Sequence, residues 1–282
     1  MSARLLQLPT GGSIGMTTLG DPAAEFSVLL CHPAPGAAGF DPDPVVTAER
    51  SARLLSADRP GYGASDPQES ALADPHLAEL AVLDELSSAG SRVGAVVGWG
   101  FGGLVALSLA AARPDVVERV ALVQTPAPGS RLYDVVARRA RAWSLQHRDP
   151  LLARASLLGG TGIRALSLLG ASPEDEALRL PGLAERCERM LADAVGVGEA
   201  GLAFDRRAQH RRHWPDVARA VQVPVLALYG RRDPRLDARD PRWFVRHLDR
   251  VQVEVVDEAG PLAIASEWAR ILDFVRGRAR DA

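Results

Sequence analysis

Short apolar runs of strand length alternate with longer helical patterns along this chain, and that alternation restricts the possible folds more than any other feature. Six runs have the apolar, β-branched composition of buried strands: residues 26–31, 53–57, 93–98, 117–123, 223–229 and 251–256. Four stretches have helical periodicity: residues 75–88, 101–112, 240–248 and 265–275. Two earlier segments, residues 5–8 and 13–19, predict an antiparallel pair at one edge. The whole pattern predicts an α/β fold, with a mostly parallel sheet covered by helices on both faces.

The alternation stops in the middle of the chain. Between about residues 131 and 220 no convincing strand occurs, and the stretch has the pattern of several amphipathic helices, one of them starting at Ser172-Pro173-Glu174. So long a stretch is not a loop. We therefore predict that residues 131–220 form a helical cap, inserted into a core domain made of residues 1–130 and 221–282.

Composition points to an ordinary globular protein and excludes several function classes. The 282 residues are 47% hydrophobic and 24% charged, which excludes a mainly disordered chain. The net charge of −2 favours neither nucleic acid nor an anionic membrane as a partner. Cys31 and Cys187 cannot form a disulfide framework and the chain shows no signal-peptide pattern, so we expect a cytoplasmic protein. Arginine replaces lysine throughout, which is typical of a GC-rich, bacterial genome.

Residues 93–112 contain no charged side chain and reach the length of a membrane-spanning helix. Glycines interrupt the stretch, however, and its first third is β-branched while its last third is rich in leucine and alanine. A buried strand, a glycine turn and a buried helix explain this composition better than one spanning helix. We therefore expect no membrane partner.

Glycine-rich and polar motifs follow the predicted strands, at the edge where parallel sheets carry their chemistry. The five motifs are His32-Pro33-Ala34-Pro35-Gly36, Asp58-Arg59-Pro60-Gly61-Tyr62-Gly63, Gly98-Trp99-Gly100-Phe101-Gly102-Gly103, Gly230-Arg231-Arg232-Asp233-Pro234 and Glu258-Ala259-Gly260-Pro261-Leu262. In this order and spacing they resemble the α/β-hydrolase superfamily, in particular its capped esterases and epoxide hydrolases. The resemblance covers nearly the whole chain outside the cap and implies the α/β-hydrolase fold.

The resemblance also implies a triad of nucleophile, histidine and acid, and two of these positions lack the required side chain. Gly98 and Gly102 match the flanking glycines of the family's Gly-x-nucleophile-x-Gly elbow, so the nucleophile position holds Gly100. The histidine position holds Pro261, which cannot accept a proton. Only the acid position, Asp233, keeps its chemistry. Because triad members act as a unit, conventional ester hydrolysis is expected to be absent or vestigial.

The rest of the implied site can still bind a ligand. In the family, an oxyanion hole is formed by backbone N–H groups that correspond here to Ala34 and Phe101, and neither depends on side-chain identity. His32 and Trp99 are expected beside it. We therefore predict a non-hydrolytic pseudoenzyme that binds a small, largely apolar carbonyl compound in a closed pocket under the cap. We expect no cofactor and no metal ion, and the sequence does not indicate an oligomeric state.

Two other functions stay open. Displaced or non-hydrolytic chemistry (a lyase, a cyclase, an isomerase, or a hydrolase with another nucleophile) would use Asp233 or His32 as acid or base in the same pocket. Against this, we interpret His32 as a residue that holds its loop, Asp233 as a remnant of the triad, and Cys31 as a core residue. A scaffold without activity would instead show a collapsed cavity and an exposed apolar patch on the cap.

Overall fold

Strands of the chain form one eight-stranded sheet in the computed structural model, which describes residues 2–8, 11–67, 76–88, 93–130, 166–197 and 200–277. In chain order the strands are β1 (Ser2–Gln7), β2 (Ser13–Gly20), β3 (Phe26–Cys31), β4 (Ala52–Ala57), β5 (Ala95–Trp99), β6 (Arg119–Val123), β7 (Val225–Gly230) and β8 (Val251–Val256). Their spatial order is β1-β2-β4-β3-β5-β6-β7-β8. β2 pairs antiparallel with β1 and β4, and the other neighbours pair in parallel. The predicted mostly parallel sheet with an antiparallel edge is confirmed.

Several strands begin about two residues later than the apolar runs suggested. Val93 and Val117 are each 1% exposed, yet they precede β5 and β6. The carbonyl oxygen of Gly94 accepts hydrogen bonds from the N–H groups of Glu118 and Arg119, and the paired ladder starts only beyond these residues. The apolar pattern therefore indicated where the chain becomes buried, which is slightly before it pairs.

The helices lie on both faces of the sheet. Their bounds are α1 (Pro44–Glu49), α2 (Leu77–Ser88), α3 (Phe101–Ala112), α4 (Leu183–Val195), α5 (Ala200–Gln209), α6 (Trp214–Ala220), α7 (Arg239–His247), α8 (Ala263–Ser266) and α9 (Trp268–Val275). Leu29 of β3 belongs to one hydrophobic cluster and Leu30 to another, because successive side chains of a strand point to opposite faces. Two cores, one on each face, therefore hold the layers together.

Two helices differ from the sequence prediction. α1 was not predicted, although the side chain of Asp43 caps its first N–H groups and Pro44 occupies its first position. The helix predicted for residues 265–275 is divided at Glu267 into α8 and α9. The short length of α1 explains why an apolar-periodicity argument passed over it.

Residues 166–197 and 200–220, the described part of the predicted cap, contain helices and no strand. The helix start predicted at Ser172 is wrong. Asp175, not Ser172, accepts the capping hydrogen bond from the N–H of Ala177, and it opens only a short 3-10 helix before α4 begins at Leu183. Residues 131–165 lie outside the described residues, so the cap boundaries stay a prediction.

The uncharged stretch of residues 93–112 folds as β5, a turn at Gly100 and α3, as predicted. Of the helices in the described ranges, none is both long enough and apolar enough to cross a bilayer.

Candidate functional site

A sharp turn between β5 and α3 places Gly100 at the carboxyl edge of the sheet. Gly100 has φ 57° and ψ −123°, a positive-φ conformation that residues with a Cβ adopt only at an energetic cost. Gly102 packs so closely against the carbonyl group of Cys31 that a Cβ would overlap with it. The turn therefore has the elbow geometry that the resemblance implied, with no side chain at its apex.

Two backbone N–H groups lie at the edge where the oxyanion hole was expected. Ala34 follows β3 and Phe101 follows β5, and these strands are parallel neighbours in which Cys31 pairs with Gly98. Phe101 is the first residue of α3, so its N–H group belongs to the helix end that stabilises negative charge. The topology thus brings both groups to one edge. Their role as oxyanion donors stays a prediction.

Aromatic side chains near the elbow mainly pack against other residues. Trp99 is 2% exposed and contacts Phe40, with 5.4 Å between the ring centroids. Trp268 is fully buried and donates its indole N–H to the hydroxyl of Thr47 at 2.9 Å. This hydrogen bond assigns Trp268 to the packing of α9 on α1.

Asp233, at the triad's acid position, follows β7 and is ion-paired. Nε and Nη2 of Arg235 donate to its two carboxylate oxygens at 2.9 and 2.7 Å, and the Arg235 backbone N–H donates at 3.0 Å. The Asp233 side chain is fully buried, and that of Arg235 is 19% exposed. An arginine thus occupies the carboxylate that orients a histidine in the implied triad. The sequence analysis missed Arg235, although its position two residues after Asp233 was a visible signal.

Pro261, at the histidine position, lies buried in the turn between β8 and α8. Gln124 holds this turn: its Nε2 donates to the carbonyl of Gly260 at 2.7 Å, and its Oε1 accepts from the N–H of Gly230 at 2.9 Å. Gln124 and Gly230 are at the ends of neighbouring strands, so one side chain ties both strands to the turn. No sequence pattern indicates this role, because an isolated glutamine after a strand has many uses.

His32 is buried with both ring nitrogens engaged. Nδ1 lies 2.8 Å from the carbonyl oxygen of Pro33, and Nε2 accepts from the backbone N–H of Arg59 at 3.2 Å. Burial, followed by the positive charge of Arg59, lowers the pKa of His32 well below its usual value. A neutral ring with Nδ1 protonated satisfies both contacts. This geometry agrees with the loop-holding interpretation and leaves neither nitrogen available for proton transfer to a ligand.

Arg59 forms a buried ion pair that joins the core to the predicted cap. Its Nε and Nη2 donate to the carboxylate of Asp205, on α5, at 3.0 and 2.7 Å. Nη1 donates to the carbonyl of His32 at 2.7 Å, and Nη2 also donates to that of Pro33 at 3.0 Å. The side chains of Arg59 and Asp205 are 0% and 1% exposed. The sequence analysis placed Arg59 in a motif after a strand and missed its partner on α5.

Glu79, on α2, is a second buried acid beside this pair. Within the described part of the chain, neither of its carboxylate oxygens has a hydrogen bond to another residue. Burial raises its pKa to about 7, and the positive charge of Arg59 opposes that rise. The cluster therefore contains one ion pair, Arg59 with Asp205, and one acid, Glu79, that binds its proton more tightly than an exposed glutamate does.

Cysteine and serine side chains elsewhere in the described residues are the other candidate nucleophiles. Cys31 and Cys187 are both buried, and burial raises the pKa of Cys31 well above its usual value and that of Cys187 to about 12. Nδ1 of His76 lies 2.6 Å from the hydroxyl of Ser108 on α3. Ser108 lies about 10 Å along the helix from Phe101 at 1.5 Å per residue. No three His, Cys, Asp or Glu side chains in those ranges are grouped to share a metal ion.

Comparison with known proteins identifies the fold family. A profile described as "Alpha/beta hydrolase family" matches residues 28–274. The chain belongs to the α/β-hydrolase family. The predicted resemblance of the five motifs to this family is thereby confirmed. The match also includes the described helices between β6 and β7.

Two members of the family with similar sequences carry the same name, pimeloyl-[acyl-carrier protein] methyl ester esterase. The protein from Chromobacterium violaceum is 31% identical over 79% of this chain and 80% of its own length. The protein from Nitrosomonas europaea is 28% identical over 74% and 77%, respectively. Among solved structures, an enol-lactonase from Burkholderia xenovorans LB400 has a TM-score of 0.70 over 98% of this chain and 99% of that one. Its 18% identity supports the shared fold alone.

Proposed function

We propose that this α/β-hydrolase-family protein is a pseudoenzyme that binds a small, largely apolar carbonyl compound at the elbow without hydrolysing it through a triad. One observation carries the proposal: the nucleophile position is Gly100, and the acid that would orient a base is held by Arg235. Two triad side chains are therefore absent, and the third, Asp233, is paired with an arginine instead of a histidine. We further propose a cytoplasmic location, consistent with two free cysteines.

The parts of the implied triad site that remain are the backbone groups that would bind a carbonyl oxygen. The N–H groups of Ala34 and Phe101 need no particular side chain, and the start of α3 stabilises a negative charge on a carbonyl oxygen. The named substrate of the two curated relatives is an ester, which is the carbonyl chemistry such a site would recognise. Removing a triad lowers the rate by up to about a millionfold, and the remaining rate enhancement comes from oxyanion donors and binding.

The test is hydrolysis of an activated ester, p-nitrophenyl butyrate, by the native protein and by two variants. Gly100→Ser/Pro261→His restores nucleophile and base, and Gly100→Ser/Pro261→His/Arg235→Ala also frees Asp233 to orient the introduced histidine. We expect the native protein to be inactive, the double variant to be weakly active and the triple variant to be more active. A native rate that neither variant exceeds would overturn the proposal.

A second candidate, a hydrolase with a displaced nucleophile, is favoured by the hydrogen bond between Ser108 and His76. Both side chains are mostly buried, at 5% and 8% exposure, so a substrate would need an opening to reach them. Any native ester hydrolysis that Ser108→Ala abolishes, while Ser65→Ala leaves it unchanged, would support this candidate. Ser65 is a suitable control because its hydroxyl is also buried and hydrogen-bonded, to the carbonyl of Asp58.

A further inference from the structure

A cavity of about 1090 Å³ opens beside the Asp233–Arg235 pair, and its charge is unusual for a site expected to take an apolar ligand. It lies between the segment that follows β6, the segment before α4, and helix α7. Neither Gly100 nor Pro261 is among its described lining residues, whereas four arginines are: Arg235, Arg239, Arg242 and Arg246. Helix α7 supplies three of them.

The three arginines of α7 share one face of the helix, because positions i, i+3 and i+7 lie within about 60° of one another. Within the described ranges, no hydrogen bond or ion pair engages the guanidinium groups of Arg239, Arg242 and Arg246. All three side chains are exposed. Trp243 is half-buried in the same cavity wall and stacks on His247, with 4.3 Å between the ring centroids. Three cations that no described residue neutralises therefore line the cavity beside an aromatic surface.

The acidic residues near the cavity are already engaged. Both carboxylate oxygens of Asp240 accept backbone N–H groups, from Ala127 at 2.7 Å and from Asp237 at 2.9 Å. Asp237 accepts from the backbone N–H of Arg239 at 2.6 Å. Asp233 is bound to Nε and Nη2 of Arg235. These carboxylates therefore fix the backbone and one guanidinium, and among the described residues none of them pairs with an arginine side chain of α7.

Arg235 is the anchoring group of the cavity. Because Asp233 holds its Nε and Nη2, the guanidinium is fixed in orientation, while no described residue contacts Nη1 by a hydrogen bond. A guanidinium fixed in this way binds carboxylate or phosphate oxygens with less entropy loss than a mobile side chain. The partner of Asp233 is thus an anion-binding guanidinium, where the implied triad would have a proton-carrying histidine.

We propose that this cavity binds the anionic part of the protein's ligand, a group with two or more negative charges such as a phosphate ester or a polycarboxylate. Arg235 would contact the anion at the inner wall, and Arg239, Arg242 and Arg246 would surround it at the rim. The inference extends the proposed function by assigning a charge to the ligand. Its test measures binding and involves no ester chemistry, so the two proposals can fail separately.

The experiment is isothermal titration of the purified protein with inorganic pyrophosphate and, separately, with citrate, at ~0.15 M ionic strength to screen weak surface binding. The test variant is Arg239→Gln/Arg242→Gln/Arg246→Gln. The matched control, Arg207→Gln/Arg219→Gln/Arg250→Gln, removes the same charge from exposed positions that do not line the cavity. Circular dichroism checks that each variant is folded.

We expect saturable one-to-one binding of at least one probe by the native protein. The cavity variant should bind it at least about tenfold more weakly, since each lost charge-assisted hydrogen bond contributes about that factor. The control variant should bind it as the native protein does. Tighter binding of pyrophosphate would assign a phosphate ligand, and tighter binding of citrate a polycarboxylate. Absence of binding, or equal weakening in both variants, would overturn the proposal.

Discussion

Replacement of Asp205 by asparagine tests how the predicted cap is attached to the core. The native pair is excluded from water, with exposures of 0% for Arg59 and 1% for Asp205. Asp205→Asn keeps the shape and one acceptor oxygen but leaves the guanidinium without its paired charge. Removing one partner of a buried pair costs about 3–5 kcal/mol, and the retained oxygen places the expected loss near the lower limit, ~3 kcal/mol.

That loss is measurable by urea unfolding followed by circular dichroism, and it corresponds to a melting temperature lower by about 6–12 °C for a chain of this size. The matched control is Asp216→Asn, which breaks the ion pair of Asp216 with Arg219 on α6, where the side chains are 81% and 64% exposed. We expect no measurable change in the free energy of unfolding for Asp216→Asn, because exposed ion pairs contribute little to stability.

Arg59→Met/Asp205→Leu separates the charge effect from the packing effect. Replacing both charges by apolar groups of similar size should recover most of the stability, since neither partner is left buried and unpaired. If Asp205→Asn is as stable as Asp216→Asn, water reaches Arg59 and the argument from burial is wrong.

Two further predictions concern Glu79 and Gly100. The pKa of Glu79 rises from 4.5 to about 7 on folding, so the native state binds the proton more tightly and loses stability as pH increases between those values. Glu79→Gln should remove that loss, and its gain in melting temperature over the native protein should grow from pH 4.5 to 7 and stay constant above; parallel profiles for the two proteins would contradict this. Gly100→Ala should reduce the free energy of unfolding in urea by about 1–3 kcal/mol, because φ 57° combined with ψ −123° lies outside the left-handed helical region that residues with a Cβ can reach. Gly129→Ala, in a left-handed turn with no atom within 4 Å of the added Cβ, should cost less, and an equal loss at both positions would refute the argument from elbow strain.

The sequence was sufficient for the fold because the relevant signals are local. The runs that became β3 and β8 were predicted with their observed bounds, as was α3. β3 and α3 depend on contiguous apolar residues and β8 on alternating valines, and the order of motifs along the chain supplied the topology. The same reasoning failed at Ser172, because whether a serine or the nearby Asp175 caps a turn depends on the contact of Asp175 with the N–H of Leu262, 87 positions away.

The candidate site was only partly predictable, because local signals place residues near the ends of strands but do not show which distant residues contact them. Gly100, Asp233 and Pro261 could be placed from their distance to the ends of strands. The residues that contact these positions, and so determine their chemistry, could not be predicted. Gln124 bridges to Gly260, and Asp205 reaches Arg59 across 146 positions. No periodic pattern connects residues so far apart, and only the folded chain shows that they meet.

The backbone around Pro261 is held on both sides, and this would determine how another side chain at position 261 is oriented. Gln124 fixes the carbonyl on one side of Pro261, and Asp175 accepts the N–H of Leu262 on the other, at 3.4 Å. A new side chain placed there would inherit an orientation that the surrounding backbone already maintains, with little conformational freedom left to lose. In evolutionary terms, the turn already supplies an alignment to which a reactive side chain could be added. Selection for a new reaction could therefore begin from a preorganised template.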